Sequence, residues 1–242
     1  MNLPTIETPR YTCTLPNSNI EVSYRPFLVG EQKSLLIAQE AEDNKNTIKE
    51  MYRLLDVCTD VDAYKLESLD LEFLFLKIRI VSVGETSDIG LACESCGEQN
   101  VITVNYLEHE ITTPEKQVDK LLTLNENLKV ELKLPNLLDM SDIQQKQNID
   151  MKEIKEDDPK LIFDVLNKCV AKIIHGDEVL TRDDFSDEDL DKFLEGMTLD
   201  MLTEMMDFIK NQPKLVIPAE FQCSHCNHLN NTLIEGLDNF FV

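Results

Sequence analysis

The sequence predicts an α+β protein: a mainly helical body with small β-hairpins and a zinc-ribbon-like element built from two Cys-x-x-Cys knuckles. Three observations predict it. Apolar residues recur at three- and four-residue steps over long stretches, which is the helical period. Short alternating runs bounded by Pro, Gly, Asn and Ser read as hairpins. Cys93-Glu94-Ser95-Cys96 and Cys223-Ser224-His225-Cys226 are two dithiol units in extended surroundings, each followed by a residue suited to a tight turn, Gly97 or Asn227.

Composition sets the outer limits. A chain of 242 residues, 42% hydrophobic, suffices for a real core in one large domain or two small ones. Its net charge of −23, from 46 acidic and 23 basic residues, repels nucleic-acid phosphates and anionic lipid. Proteins, basic ones among them, are the expected partners. The acid is spread along the chain with concentrations at Glu153 to Asp158 and Asp183 to Asp191, which reads first as a well-solvated surface. Seven cysteines, an odd number, point to a reducing compartment. Met1 to Arg10 has no apolar stretch fit for a signal peptide, and the most apolar run, Leu71 to Val83, is too short to span a membrane and carries Lys77 and Arg79. The expectation is a protein that is cytosolic when made, with no nucleic-acid or membrane partner.

The elements follow in order. Tyr11 to Leu15 and Ile20 to Tyr24, split by Pro16-Asn17-Ser18-Asn19, predict an opening hairpin that Arg25-Pro26-Phe27 ends. From Gly30, the stripe Ile37, Ala41, Ile48, Met51, Leu55 and Cys58 predicts one amphipathic helix or two. Asp70 to Val83 fits a helix through Leu71, Leu74, Phe75 and Ile78, and a strand face through Leu74, Leu76, Ile78 and Ile80. The reading taken is a buried helix capped by Ser68 or Asp70. Leu91 to Tyr106 predicts a hairpin carrying the first cysteine pair, and Leu128 to Leu134 a half-buried strand. Helices are expected from Leu137 to about Met151 and from Pro159 to near His175-Gly176, the second with an apolar face of Ile162, Val165, Leu166, Cys169, Val170 and Ile173. Ser186-Asp187-Glu188-Asp189 is a capping box for Leu190 to Leu194, and Thr198 starts a helix that stops before Pro213. Leu215-Val216-Ile217 is a short strand ahead of the second cysteine pair. The resulting segments are an N-terminal arm and hairpin (1–27), a helical region (28–90), the first knuckle and strands (91–135), a second helical region (136–213), and the second knuckle with the C-terminal tail (214–242).

The two cysteine units match in layout: an apolar residue two before the first Cys, a turn former after the second, and Asn four beyond it, at Asn100 and Asn230. In a zinc knuckle, two cysteines flank a tight turn whose amides point at the sulfurs, and Gly or Asn permits positive φ. Four thiolates are what a tetrahedral structural zinc site takes, so Cys93, Cys96, Cys223 and Cys226 are the candidate ligands of Zn2+. The 126 residues between Cys96 and Cys223 cost about 4 kcal/mol to close, against an apparent ~10–16 kcal/mol for structural zinc. The competing reading is a pair of buried or redox dithiols. A redox Cys-x-x-Cys opens a helix after a strand, and neither pair here precedes a helical pattern. His109, His225 and His228 stay open as substitute ligands, and whether the knuckles share one ion is also open.

Elsewhere the chemistry is sparse. Cys13, Cys58 and Cys169 sit in apolar or strand contexts and read as core. No Gly-rich phosphate loop, Gly-x-Ser-x-Gly elbow or His-x-x-x-His pair occurs, so no catalytic set stands out. Asp187, Asp189 and Asp191 begin a calcium-loop rhythm, but Lys192 stands where that loop needs Gly, and capping explains them better. Met201, Met205 and Met206 read as core, with a peptide groove as the alternative.

On Tyr24-Arg25-Pro26-Phe27 with Gly30-Glu31-Gln32-Lys33-Ser34-Leu35-Leu36, on Asp70-Leu71-Glu72-Phe73-Leu74-Phe75-Leu76 running to Arg79 and Ser82-Val83-Gly84-Glu85, and on the two cysteine pairs with Gly236-Leu237-x-x-Phe240-Phe241, the chain resembles the baseplate protein family of T-even-like contractile-tailed bacteriophages. The resemblance implies a non-enzymatic protein, a baseplate hub subunit or a hub assembly chaperone. It implies partners among other baseplate hub and tail proteins, the tape-measure protein included, and a location in host cytoplasm during assembly or in the virion tail. Beside it stand a zinc-ribbon adaptor for transcription machinery, which the acidity disfavours as a DNA binder, and a metalloenzyme, which an all-cysteine site would leave without an open coordination position.

Overall fold

The computed structural model describes residues 7–41, 44–112, 114, 116, 118–147 and 158–236. Most of the acidic run Glu153 to Asp158, the far end of the helix expected to reach Met151, and the Phe240-Phe241 tail lie outside the described residues. The chain forms two compact units, Met1–Thr113 with Pro213–Val242, and Pro114–Gln212. Seven α-helices and eleven β-strands occur among the described residues, so the body is mixed rather than mainly helical.

The first unit opens with the expected hairpin, β1 (Tyr11–Thr14) against β2 (Glu21–Tyr24). Helices α1 (Val29–Glu40) and α2 (Asn44–Cys58) follow. The expected stripe does not run through both: Leu35 and Ala38 are the buried residues of α1, whereas Ile37 is 55% exposed. The break between the helices resets the phase of the pattern. Arg25 fastens this region, donating to both Glu31 oxygens at 2.9 and 2.7 Å and to the Val57 carbonyl at 3.1 Å. The Phe27 amide donates to Ser82 Oγ at 3.0 Å.

Helix α3 (Ser68–Val83) is buried on nearly every side, through Leu69, Leu71, Leu74, Phe75, Leu76 and Ile78. That is why its sequence fits both a helical and a strand period: with no solvent face, the period carries little information. Neither expected residue caps it. Glu67 is the N-cap, its carboxylate accepting from Asn17 Nδ2 (2.8 Å) rather than capping the helix, and Asp70 instead reaches out of the helix to accept the amides of Asn17 (2.8 Å) and Ser18 (3.0 Å) in the opening hairpin's turn. Arg79, 3% exposed, donates to the Gly84 carbonyl at 2.7 Å and lies 4.0 Å over the Tyr106 ring. Gly84, at φ 131°, turns the chain into β3 (Thr86–Ala92), which pairs in antiparallel register with β4 (Gln99–Asn105) before the short β5 (Glu110–Ile111).

The second unit is a four-stranded antiparallel sheet with helices. Strands β6 (Leu121–Thr123) and β7 (Leu128–Leu132) precede α4 (Leu137–Gln147) and α5 (Pro159–Cys169). Then β8 (Val170–His175) and β9 (Glu178–Thr181) complete the order β6-β7-β8-β9. The helix expected to continue to His175 therefore ends at Cys169, and Val170–His175 is a strand. Its β-branched Val170, Ile173 and Ile174 suit a sheet, and pairing with β7 satisfies its backbone. Gly176, at φ 60°, begins the two-residue Gly176-Asp177 hairpin turn rather than ending a helix. Helices α6 (Asp187–Glu195) and α7 (Leu199–Lys210) follow. The Ser186 capping box is present, with Ser186 and Asp189 bonded reciprocally. Val130, Leu132, Leu166, Val170, Leu194 and Phe208 form the centre of this unit's own core. Met205 belongs to it, as expected of the methionine stripe.

The chain then returns to the first unit. Strand β10 (Leu215–Gln222) is longer than the three residues expected and runs to the second cysteine pair. It pairs with β5 on one side and with β11 (Leu229–Glu235) on the other. No helix among the described residues is long and apolar enough to cross a membrane.

Candidate metal centre

The two knuckles are the tips of two hairpins. In the first, the ladder ends at Ala92↔Gln99 and residues 93–98 make the loop; in the second it ends at Gln222↔Leu229 and residues 223–228 make the loop. Each loop is closed in the same way. The Cys93 amide donates to the Glu98 carbonyl (2.9 Å) and the Gly97 amide to the Cys93 carbonyl (2.8 Å). Cys223 donates to His228 (2.9 Å) and Asn227 to Cys223 (3.0 Å). Gly97 has φ 75° and Asn227 φ 60°, the left-handed conformation that both residue types tolerate.

The fold brings the four sulfurs together. Cys93 Sγ lies 3.7 Å from Cys226 Sγ, Cys96 Sγ lies 3.7 Å from Cys223 Sγ, and all four sit within 4.8 Å of one another. Four sulfurs at ~2.3 Å from a tetrahedral zinc would be separated by about 3.8 Å, so the spacing fits an ion of that size. Cys93 and Cys223 are buried and Cys96 and Cys226 exposed, one of each from each knuckle. All four are free thiols.

The electrostatics agree with a cation site. Burial opposes ionisation of Cys93, but the amides of Cys96 and Ser95 and the Asn230 carboxamide outweigh it and hold the thiol below its ordinary value. The Cys226 amide, with that of His225 and the Asn100 carboxamide, brings Cys223 down to about 6. Cys96 goes the other way: the Glu98 amide favours its thiolate, but the sulfurs of Cys226, Cys223 and Cys93 together push it up to about 12. Crowded like charges cannot all form unaided, and a divalent cation among them removes the conflict.

The histidines left open as ligands fall outside the cluster. His109 Nδ1 lies 2.8 Å from the Tyr106 carbonyl, and its ring stands edge-on to Phe73, while His225 and His228 are exposed. Among the described residues the four cysteines are the one group placed to hold a metal. Of the other thiols, Cys58 and Cys169 are buried, each pushed up to about 12 mainly by burial, and Cys13 is half-buried. Asp187, Asp189 and Asp191 are engaged elsewhere: Asp189 in the cap, Asp187 with Lys168 and Arg182, and Asp191 accepting from Asn167 at 2.6 Å.

Two residues of the centre carry no role in the sequence reading. Asn100 Oδ1 accepts the Ser224 amide at 2.9 Å, and Asn230 Oδ1 accepts the Glu94 amide at 2.9 Å, so each knuckle's strand reaches across to the other knuckle's loop. The signal was the shared Asn four residues after each second cysteine. Its meaning needs the two hairpins facing each other.

No curated protein and no solved structure matches the chain. A family model described as "T4 bacteriophage base plate protein" matches residues 8–242. With the match running through both hairpins and both compact units, the chain belongs to the T4 bacteriophage base plate protein family.

Proposed function

We propose that the protein is a non-enzymatic baseplate hub protein, a hub subunit or a hub assembly chaperone, whose first unit is clamped by one structural zinc ion. The observation that carries this reading is the family match over residues 8–242, which makes the chain a bacteriophage baseplate protein. The clamp rests on four sulfurs that all lie within 4.8 Å of one another, two pairs of them at 3.7 Å. Two knuckle-tipped hairpins facing each other are what a zinc-ribbon-like element requires, and four thiolates favour zinc among common metals. When bound, zinc would supply cross-linking and charge neutralisation. Cys93, Cys96, Cys223 and Cys226 would fill its coordination sphere and leave no position for substrate or water, which supports a structural role.

The partners on this reading are other baseplate hub and tail proteins, including the tape-measure protein, met in the host cytoplasm during assembly. A net charge of −23 suits basic faces on them. Three measurements test it. Metal analysis of purified protein is expected to give one zinc per chain, and less than half would sink the clamp. Co-expression with neighbouring tail proteins followed by pull-down is expected to recover a hub complex. Mass spectrometry of purified virions then separates the two roles: presence in mature particles identifies a subunit, and absence an assembly chaperone. Failure to join any tail complex would remove the hub reading altogether.

A further inference from the structure

We propose that Asn100 and Asn230 are the positioning residues of the metal centre, a reciprocal lock that sets the two knuckles at ligand spacing. The inference rests on the zinc reading above and goes beyond it by assigning the residues that tune the site. The arrangement is two-fold in its connectivity: an offset of 130 residues converts Cys93 to Cys223, Cys96 to Cys226, Gly97 to Asn227 and Asn100 to Asn230. Each asparagine uses both ends of its carboxamide. Asn100 Oδ1 accepts from the Ser224 amide (2.9 Å) and hydroxyl (3.1 Å) across the interface, while its Nδ2 donates to the Glu98 carbonyl of its own loop (2.8 Å) and approaches Cys223 Sγ at 3.6 Å. Asn230 Oδ1 accepts from the Glu94 amide (2.9 Å), and its Nδ2 donates to the His228 carbonyl (3.1 Å).

The partners fix the orientation of both amides, because an amide N–H must face oxygen and a carbonyl must face nitrogen. The Glu98 and His228 carbonyls are the same ones that accept the Cys93 and Cys223 amides, so each asparagine ties the closure of its own loop to the peptide just after the first cysteine of the other. Asn100 and Asn230 are 7% and 3% exposed and stand within paired strands, which denies them other partners and other positions. Groups in contact with ligand loops in this way orient ligands and commonly carry 10- to 100-fold of metal affinity.

The test uses the full chain with Asn100→Ala, Asn230→Ala and, as a control, Asn231→Ala, an exposed neighbour on β11. Zinc affinity is read by competition with a chromophoric chelator, and ligand geometry by the cobalt-thiolate absorption of Co2+-loaded protein. Each lock variant is expected to bind one zinc about 10- to 100-fold more weakly than the parent, with an altered cobalt spectrum; the control is expected to match the parent. Parent-like affinity and spectrum in both lock variants would overturn the proposal, as would lowered apo stability with unchanged affinity, which marks a merely structural contact. Should an alanine variant fail to fold, Asn100→Asp and Asn230→Asp keep the cross-loop oxygen but set a carboxylate against the Glu98 or His228 carbonyl. They are expected to fold and to lose at least 10-fold in affinity, and parent-like binding by them would overturn the lock. A parent chain that binds no zinc is a different failure, since it removes the zinc reading itself.

Discussion

Replacing Cys223 by Ser takes one sulfur from a cluster whose members lie within 4.8 Å of one another, and the structure bounds what that loss does. Zinc free in solution at 100 to 1,000 times its dissociation constant stabilises the form that binds it by about 2.7–4.1 kcal/mol. The cross-link view gives a similar ceiling, about 4 kcal/mol for closing the intervening 126 residues. That figure is an upper bound, because β5 pairs with β10 and Thr112 exchanges hydrogen bonds with Lys214, closing the same excursion without metal. The expected cost is therefore roughly 3–4 kcal/mol, well below the ~10–16 kcal/mol of a zinc peptide with nothing else to hold it. At roughly 2–4 °C per kcal/mol for a unit of this size, the first unit should melt about 6–16 °C lower. Calorimetry of parent, Cys93→Ser, Cys223→Ser and chelator-treated parent measures this, and hydrogen exchange localises it to β3, β4, β10 and β11. Each variant is also expected to block hub assembly. A stable, zinc-loaded Cys223→Ser protein with the parent's midpoint would show that the two knuckles act independently and refute the shared clamp.

Other perturbations probe the frame around the clamp. Arg25, then the Leu28 amide, hold the Glu31 carboxyl below its ordinary value, so its stabilisation is present above the unfolded value near 4.5 and lost as pH falls through the folded one. Glu31→Gln should be less stable than the parent by about 1.5–3 kcal/mol at pH 7, with the gap closing in acid denaturant melts. Glu72 has the opposite sign: burial, with Glu235 nearby, raises it to about 7, so folding is penalised increasingly as pH rises from about 4.5 to 7. Glu72→Gln should gain up to ~3 kcal/mol at pH 8 and nothing at pH 4. Phe208→Ala empties the centre of the second unit and should cost that unit about 3–5 kcal/mol, seen as a lowered calorimetric transition with zinc binding unchanged. Replacing residues 114–212 by a short Gly-Ser turn should leave a folded, zinc-binding first unit, because Thr112 and Lys214 are already hydrogen-bonded neighbours; loss of zinc binding would contradict it.

What the sequence disclosed depended on whether a signal was local. The cysteine spacing and the turn residues Gly97 and Asn227 are complete within a few positions, and so is the Ser186 capping box. The strand at Val170–His175 was hidden because Cys169, Val170 and Ile173 fit a helical face equally well; its partner β7 lies far back in the chain and decides the matter. The better clue was Gly176-Asp177, a two-residue hairpin signal that also resembles a helix stop. Asp70 misled for a related reason: a carboxylate in the first turn of a helix suggests a cap, yet its partners, Asn17 and Ser18, are some fifty residues away. Asn100 and Asn230 were visible as a shared position and invisible as a lock, because each acts on the hairpin that does not contain it.

The residues that carry the family resemblance have physical roles in the first unit. Arg25 grips Glu31 with both nitrogens, Phe27 bonds Ser82, Asp70 holds the opening turn, Arg79 joins Gly84 while stacked on Tyr106, and the cysteines form the cluster. The Arg25, Asp70, Arg79 and cysteine contacts depend on a particular side-chain group, whereas Phe27 uses its backbone amide and the specificity lies with the Ser82 hydroxyl. The second unit has its own apolar core of Leu, Val, Met and Phe, where volume matters more than identity, beside a polar cluster of Asn167, Arg182, Asp187 and Asp191. The motifs lie in the two stretches of sequence that build the first unit.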